Sequence, residues 1–329
     1  MAVLGSVLSN LLLVMGMCFL FGGIVNMRDR NGQGREQNFA SMTFQTTRPL
    51  MTLSSASLVL PTTVYSILDK AQSTEREHTI LILSRGTAIV LLSLYYHYLW
   101  FQLKTHTNLF ITEILDEEYE GEDDKPIINL PAAVSLLVVV IYFIALCAIS
   151  LIGRMEDVVQ ETRVGRGFIG LIIVPNVSNS AEHIAAVRRA VNDKMDLAIG
   201  IAIGSSIQTV LFISPLLVIL GWTVLDKPMT FHFEMSAVVV FVFTVPITYA
   251  LQDGRSNYLQ GNLLLGFYAI IVFTYLVSPR VGQGLADSFV PTSPLRGGER
   301  LFVVQTVLCR AGKLASSLLV ATKSKVLGR

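Results

Sequence analysis

The chain has 329 residues, of which 52% are hydrophobic and only 15% are charged. A soluble domain carries about 25% charged residues, so this composition argues against a water-soluble globular protein. The net charge of +1 gives no electrostatic basis for binding nucleic acid. The three cysteines, Cys18, Cys147 and Cys309, lie far apart, which argues against a disulfide framework or a thiolate metal site.

Long stretches of the chain contain no charged residue, and each is close to or longer than the roughly 20 apolar residues that cross a bilayer as a helix. Hydrocarbon cannot satisfy backbone polar groups, so only helices and closed barrels span it. Continuous apolar runs, without strict alternation, favour helices. We therefore predict an all-α polytopic membrane protein with about eight transmembrane helices, at 3–25, 49–68, 80–103, 130–152, 167–187, 198–222, 235–251 and 260–278.

Two segments between or after the predicted helices have unusual charge. The segment 113–124 holds eight of the chain's 24 acidic residues, which is typical of a solvated linker between two halves. From residue 280 onwards the chain holds eight of its 25 Lys and Arg residues. There, Arg310 and Lys313 interrupt an apolar run, which suggests a surface amphipathic helix or a disordered tail. The predicted domains are a first half at 1–104 with three helices, an acidic linker at 105–129, a second half at 130–279 with five helices and a basic tail at 280–329.

The fifth predicted helix contains one acidic residue, Glu182, in the sequence PNVSNSAEH. Ionisable residues inside a membrane are costly and usually functional. Helical spacing places Asn179 on the same face as Glu182, and Pro175, which lacks an N–H, disturbs the helix and frees backbone carbonyls. Carboxylate, amide and carbonyl oxygens are the ligands that Ca²⁺ takes. In the alternative interpretation, Glu182 extends along its own helix towards Arg188 and Arg189.

A second polar cluster lies in the uncharged sixth helix. Gly200 and Gly204 favour close helix packing, and a simple helix–helix interface would explain them as well. Ser205 and Gln208, three residues apart, point their oxygens in the same direction. Buried polar groups need partners, and an ion site beside Glu182 would supply them.

The start of the chain repeats the pattern of the sixth helix. The sequence GSVLSNLL, with polar Ser6, Ser9 and Asn10, parallels GSSIQTVL, with polar Gln208 and Thr209. Repeated halves whose polar helices meet inside the membrane are typical of secondary transporters.

The run SNSAEHIAAVRRAVNDKMDLAIGIAIGSSIQ resembles the second α-repeat of the vacuolar calcium/proton exchangers (the CAX family), particularly fungal members. The family pattern is Gly-Asn-x-x-Glu-His, a basic turn with Lys-Met/Leu-Asp, and Gly-x-x-x-Gly-Ser-x-x-Gln. The matching residues are Asn179, Glu182 and His183, then Lys194, Met195 and Asp196, and finally Gly200, Gly204, Ser205 and Gln208. The sequence GRSNYLQG is similar to the family's turn before its last helix. The resemblance covers residues 5–278 and places the second α-repeat at 175–222, in an inverted-repeat cation-exchanger architecture.

The resemblance implies a secondary antiporter, not an enzyme, that exchanges Ca²⁺ for H⁺ across a vacuolar membrane without ATP or an organic cofactor. Its substrates would be Ca²⁺ and H⁺, its surroundings the lipid bilayer, and self-association stays open. His183, next to the carboxylate, either couples to protons or serves packing. The residues expected to bind the cation are Glu182, Asn179, Ser205, Gln208, Ser6, Ser9 and Asn10, and those expected to break or pack the helices are Pro175, Ser178, Gly200 and Gly204.

The sequence departs from the family pattern in three places. Ser178 stands where the family has Gly and restricts the backbone more, and Asn176 stands where the family has an apolar residue. Met1 precedes Gly5 by four residues, so the acidic helix of the first repeat is not in this sequence. We therefore expect an incomplete first repeat with one of the two facing carboxylates. The rival interpretation is a truncated, non-transporting paralogue or an incomplete gene model.

Overall fold

The computed structural model describes residues 1–28, 32–39, 42–67, 73–106, 165–224, 228–231, 233, 238–244 and 254–277, with scattered helical positions between 135 and 150. The acidic segment 113–124 and the basic tail lie outside the described residues, as does most of the predicted helix at 130–152. One compact unit comprises Met1–Tyr95 and Val159–Thr292, and a second comprises Tyr96–Val158 and Ser293–Arg329. The candidate site lies in the first unit.

The described part of the chain is helical apart from two short strands and the connecting loops, which confirms the predicted all-α class. Four of its helices are long and apolar enough to cross a membrane. The helices are α1 (Ala2–Val25), α2 (Met42–Ile67), α3 (Ser73–Trp100, continued by a π-helical turn at Phe101–Thr105), α4 (Arg166–Phe168, continued through Ile169–Ile173 and Val174–Ser178), α5 (Ser180–Val191), α6 (Met195–Thr223) and α7 (Tyr258–Val277), with a further helical stretch at 238–244.

Helices α1 and α6 form the centre of the first unit. In their most apolar stretches 83% and 72% of the residues are buried, against 22% at Glu77–Thr105 and 28% in α7. A helix whose apolar side chains stay exposed in the folded chain is suited to face lipid, which is as apolar as those side chains. Polar side chains on α1 and α6 are therefore enclosed by protein.

The two central helices run antiparallel and share an irregularity. The start of α1 packs against the middle of α6, at Thr209–Ile213, whereas the end of α1 packs against its first half. Each helix passes into a π-helical segment just after its Gly-Ser motif, at Ser9–Val14 in α1 and at Thr209–Ile213 in α6. Such π segments occur frequently at functional sites. Two antiparallel helices with the same motif and the same irregularity agree with an inverted repeat.

The predicted span at 167–187 forms two helices separated by a break, as the disturbance predicted within it suggests. Helix α4 ends at Ser178 and α5 begins at Ser180, because Asn179 between them has the non-helical angles φ −100° and ψ 6°. The hydroxyl of Ser178 donates to the carbonyl of Pro175 at 3.0 Å and competes there with the backbone. The break therefore lies at Asn179, one turn after Pro175. The sequence predicted the disturbance at Pro175 itself.

Close glycine contacts hold α7 against α1. A Cβ added to Gly261 would overlap the backbone nitrogen of Leu20 and lie 2.8 Å from the carbonyl oxygen of Gly16. A Cβ added to Gly23 would lie 2.6 Å from the backbone nitrogen of Tyr258. The start of α7 thus lies beside the end of α1, and the two helices run antiparallel at a distance that only glycine permits.

A small polar assembly joins three loops at one end of the helices. The strand β1 (Gln37–Asn38) pairs antiparallel with β2 (Arg255–Ser256), just before α7. In the turn between α5 and α6, Asp193 accepts hydrogen bonds from Arg35 at 2.9 Å and from Gln37 at 2.8 Å. The predicted turn GRSNYLQG thus contains β2 and the first residues of α7.

Candidate cation site

Buried polar side chains converge where α1, α6 and the junction of α4 with α5 meet. Glu182 itself is partly buried. None of the other predicted ligands is more than 8% exposed, and neither is His183. These buried residues are Ser6, Ser9 and Asn10 from α1, Asn179 and His183 at the junction, and Ser205 and Gln208 from α6.

A chain of hydrogen bonds links the two central helices to the carboxylate. Asn10 donates from Nδ2 to the hydroxyl of Ser205 at 3.2 Å, and this hydroxyl donates to Oε2 of Glu182 at 2.8 Å. Oε2 of Glu182 therefore faces α6. In the alternative interpretation, Glu182 extends along its own helix towards Arg188 and Arg189. That interpretation does not apply to Oε2, which is bound to Ser205 of α6. Both helices that carry a Gly-Ser motif contribute to holding the carboxylate.

The serine of the other Gly-Ser motif binds the same junction. Asn179 donates from Nδ2 to the hydroxyl of Ser6 at 2.8 Å. The backbone carbonyl of Asn179 accepts from the amides of Glu182 and His183, at 3.0 and 3.1 Å, and so begins α5. Asn179 therefore fixes the position of the carboxylate relative to α1.

Two members of this polar cluster were absent from the predicted ligand set. The hydroxyl of Ser9 donates to Oδ1 of Asn176 at 2.5 Å, and Nδ2 of Asn176 donates to the hydroxyl of Tyr268 on α7 at 2.8 Å. Ser9 also lies 3.4 Å from Nε2 of His183. In the sequence, Asn176 stands out only as a departure from the family pattern. Tyr268 gave no sequence signal, since it is one of several hydroxyl-bearing residues in an apolar helix.

The predicted site residues Gln208, Gly204 and Gly200 of α6 differ in how closely other residues pack around them. Gln208 is buried one turn after Ser205, on the same side of the helix. A Cβ built on Gly204 meets no atom of the described residues within 4 Å, so the expected close packing at this glycine is wrong for that part of the chain. Gly200 is partly buried in the same helix. Gly204, which has this space beside it among the described residues, directly precedes Ser205, the residue that binds the carboxylate.

Pro175 acts in packing as well as in the expected loss of a helical hydrogen bond. Having no N–H, it cannot bind the carbonyl of Leu171 one turn earlier. A Cβ added to Gly5 would overlap that carbonyl oxygen and lie 2.6 Å from Cγ of Pro175. Gly5 thus lets α1 approach α4 closely enough for Ser6 to reach Asn179.

The cluster offers oxygen atoms of the kind that hard cations take. It provides one carboxylate, serine hydroxyls and amide oxygens. Asn10 and Asn179 donate from their side-chain nitrogens in the bonds given above, so these bonds do not use their amide oxygens. Within the described ranges, no three or more His, Cys, Asp or Glu side chains are grouped to hold a metal ion. The chemistry of the cluster is therefore that of one carboxylate supplemented by neutral oxygens.

These features define a polytopic α-helical membrane protein with a buried polar site between two antiparallel repeat helices. The chain belongs to the sodium/calcium exchanger protein family, whose sequence pattern matches residues 1–104 and 132–277.

Individual relatives and a solved structure agree with the family. The chain is 40% identical over 282 residues to the vacuolar calcium ion transporter of Schizosaccharomyces pombe, covering 85% of this chain and 65% of that protein. It is 35% identical over 289 residues to vacuolar cation/proton exchanger 1a of Oryza sativa subsp. japonica, covering 87% and 63%. The chain thus spans less than two thirds of each relative. The structure of native YfkE matches with a TM-score of 0.60 and 27% identity, over 84% of this chain and 74% of that one.

Proposed function

We propose that this protein is a secondary active antiporter that exchanges Ca²⁺ for H⁺ across a vacuolar-type membrane. The observation that carries the proposal is the carboxylate of Glu182, bound to Ser205 within a cluster of buried oxygen ligands. The relatives named as a vacuolar calcium ion transporter and as a vacuolar cation/proton exchanger support this choice of substrates and membrane.

The cation would bind among the oxygens that the hydrogen bonds hold in place. Glu182 supplies the charge, and Ser6, Ser9 and the amide oxygens of Asn10 and Asn179 supply neutral ligands, with Gln208 one turn along α6. Ca²⁺ takes six to eight oxygen ligands in flexible geometry, and a cluster of mixed carboxylate, hydroxyl and amide oxygens suits that requirement. Among the described residues, no atom lies within 4 Å of a Cβ built on Gly204, which leaves room there for the ion.

Exchange would follow from competition between a proton and the cation for Glu182. The carboxylate of Glu182 binds either H⁺ or Ca²⁺. An empty, charged carboxylate at membrane depth would cost several kcal/mol. Occupancy of the site by one of the two ions is therefore more stable than an empty site. One carboxylate offsets one of the two charges on Ca²⁺. Among the described residues of the cluster Glu182 is the one acid, so a second negative charge from another part of the protein would complete the site.

His183 borders this site through Ser9. Its ring nitrogen Nε2 lies 3.4 Å from the hydroxyl of Ser9, and the ring is buried. In the sequence, His183 directly follows Glu182. An imidazole can accept and release protons near neutral pH. A role for His183 in proton coupling remains part of the proposal, with packing as its alternative.

The test is Ca²⁺ uptake into sealed vesicles driven by an imposed pH gradient. Glu182→Gln keeps the side-chain shape and an oxygen for Ser205 but removes the charge, so uptake should be abolished while insertion stays normal. Glu77→Gln makes the same change at an exposed position near the start of α3 and should leave uptake intact. Normal uptake by Glu182→Gln would refute the site, and absence of uptake by the unaltered protein would favour a non-transporting membrane protein.

A further inference from the structure

Tyr268 connects α7 to the polar cluster through Asn176 and through a hydrogen bond with the side chain of Ser9. The tyrosine is 6% exposed, and its hydroxyl accepts a hydrogen bond from Nδ2 of Asn176 at 2.8 Å. The other end of the same amide, Oδ1, binds the hydroxyl of Ser9 at 2.5 Å. One asparagine thus joins a peripheral helix to a serine that lies next to the site.

The hydroxyl of Ser9 is the donor in its bond to Asn176. Its oxygen lies 2.5 Å from Oδ1 of Asn176, whereas Nδ2 of the same amide donates to the hydroxyl of Tyr268. The amide oxygen of Asn176 therefore faces Ser9, and the serine hydroxyl donates to it. A serine has one hydroxyl proton and two lone pairs, so binding Asn176 uses the proton and leaves the lone pairs as acceptors for the other groups beside Ser9, which include the hydroxyl of Tyr268 and Nε2 of His183 as well as the proposed cation.

We propose that Tyr268 and Asn176 are positioning residues that orient the Ser9 hydroxyl so that its lone pairs, and not its proton, are offered to the cation. This proposal rests on the proposed function, because it concerns how one ligand of that cation is prepared. A hydroxyl group whose proton points at a cation repels that cation. A hydroxyl group whose proton is held away from the cation presents its lone pairs and can bind the cation. Neither Tyr268 nor Asn176 needs to touch the ion.

Tyr268 determines which way the amide of Asn176 faces. An asparagine amide can present either its oxygen or its nitrogen to a neighbour. With Nδ2 donating to Tyr268, the oxygen must face Ser9. Tyr268→Phe removes this constraint, so the amide is free to turn its nitrogen to Ser9 and release the serine proton towards the site.

The glycine contacts between α1 and α7 keep the tyrosine in place. Gly16 and Gly23 of α1 lie against Leu264, Leu265 and the start of α7 at distances that leave no room for a side chain. Tyr268 lies one turn beyond Leu264 on the same face. These contacts hold the helix that carries Tyr268 against α1.

The experiment measures equilibrium Ca²⁺ binding to the purified protein and, separately, the KM and maximal rate of pH-gradient-driven Ca²⁺ uptake. Tyr268→Phe and Asn176→Leu should each weaken Ca²⁺ binding and raise KM by about threefold to tenfold, the equivalent of one hydrogen bond, with little change in maximal rate. Tyr258→Phe makes the same substitution at an exposed position on α7 and should change neither. Thermal unfolding of each variant shows whether it is folded, and Asn176→Leu carries the test if Tyr268→Phe is not.

Substitution of Ser9 separates orientation from packing. If Tyr268 acts through the hydroxyl of Ser9, then Tyr268→Phe should have no further effect on Ca²⁺ affinity in a Ser9→Ala background. Effects that add in full would mean that the tyrosine acts by another route and would overturn the inference, as would unchanged affinity in both single variants. If the unaltered protein neither binds nor exchanges Ca²⁺, it is the proposed function that fails.

Discussion

Ser205 donates its hydroxyl proton to the carboxylate of Glu182 at 2.8 Å while accepting a hydrogen bond from Asn10 at 3.2 Å. Ser205 therefore fixes the position of Glu182 relative to Asn10 on α1, the central helix that carries the other Gly-Ser motif. Because the carboxylate cannot move without breaking this bond, the geometry of the site depends on contact between the two Gly-Ser helices.

We expect Ser205→Ala to weaken the apparent affinity for Ca²⁺ by about tenfold or more, since a hydrogen bond to a charged group contributes about 1.5–3 kcal/mol. The loss should be seen in the Ca²⁺ dependence of uptake. Ser206→Ala is the matched control, because the adjacent serine is also buried but donates to the carbonyl of Ala202 in its own helix. Equal effects of both substitutions would show that helix packing matters here and the bond to Glu182 does not.

The positions of the helices could be predicted because charge is excluded from the bilayer core. The uncharged runs at the start of the chain, around Gly204 and before residue 278 became α1, α6 and α7 with ends close to those expected. The candidate ligands could also be proposed, since Glu182 and the two Gly-Ser motifs are polar in otherwise apolar segments. Their contacts in space follow from the antiparallel packing of α1 and α6, which the sequence suggested through its repeat.

Other features depended on local competition that sequence patterns do not reveal. Proline at 175 suggested a helix break there, but α4 continues past the proline, which follows the π-helical segment Ile169–Ile173, and the chain leaves the helical conformation at Asn179. Tyr268 looked like an ordinary residue of an apolar helix. Its role follows from the glycine contacts that bring α7 close to α1, which involve residues far apart in the sequence.

The two glycines of the repeated Gly-Ser motif should differ in their tolerance of alanine. Gly5→Ala would drive a methyl group into the carbonyl of Leu171 and against Pro175, and the backbone would have to move. Overpacking of this kind costs about 1–3 kcal/mol. Gly204→Ala, the matched substitution in α6, meets open space among the described residues and should leave stability unchanged or slightly raised. Thermal unfolding in detergent measures both, and equal melting temperatures would contradict the close contact at Gly5.

The turn between α5 and α6 contains Asp193, a non-glycine residue with a positive φ of 61°. Its carboxylate accepts hydrogen bonds from Gln37, which is 1% exposed, and from Arg35, whose side chain is 47% exposed. An exposed ion pair contributes little. The amide nitrogen of Gln37 also donates to the carbonyl of Ala190 at 3.2 Å, but a buried N–H group that loses its acceptor still costs about 1–3 kcal/mol. The bond to Gln37 is therefore the one that should hold this turn against the loop after α1.

Three substitutions at Asp193 separate the backbone from the side chain. Asp193→Asn keeps an acceptor for Gln37 and tolerates positive φ, so its melting temperature should stay close to that of the unaltered protein although the charge facing Arg35 is gone. Asp193→Gly loses the acceptor but adopts positive φ freely and should melt lower. Asp193→Ala loses the acceptor and also carries the strain of a left-handed conformation, about 1–2 kcal/mol, so it should melt lowest. If Asp193→Asn were as unstable as Asp193→Gly, the charge pair with Arg35 would be what holds the turn.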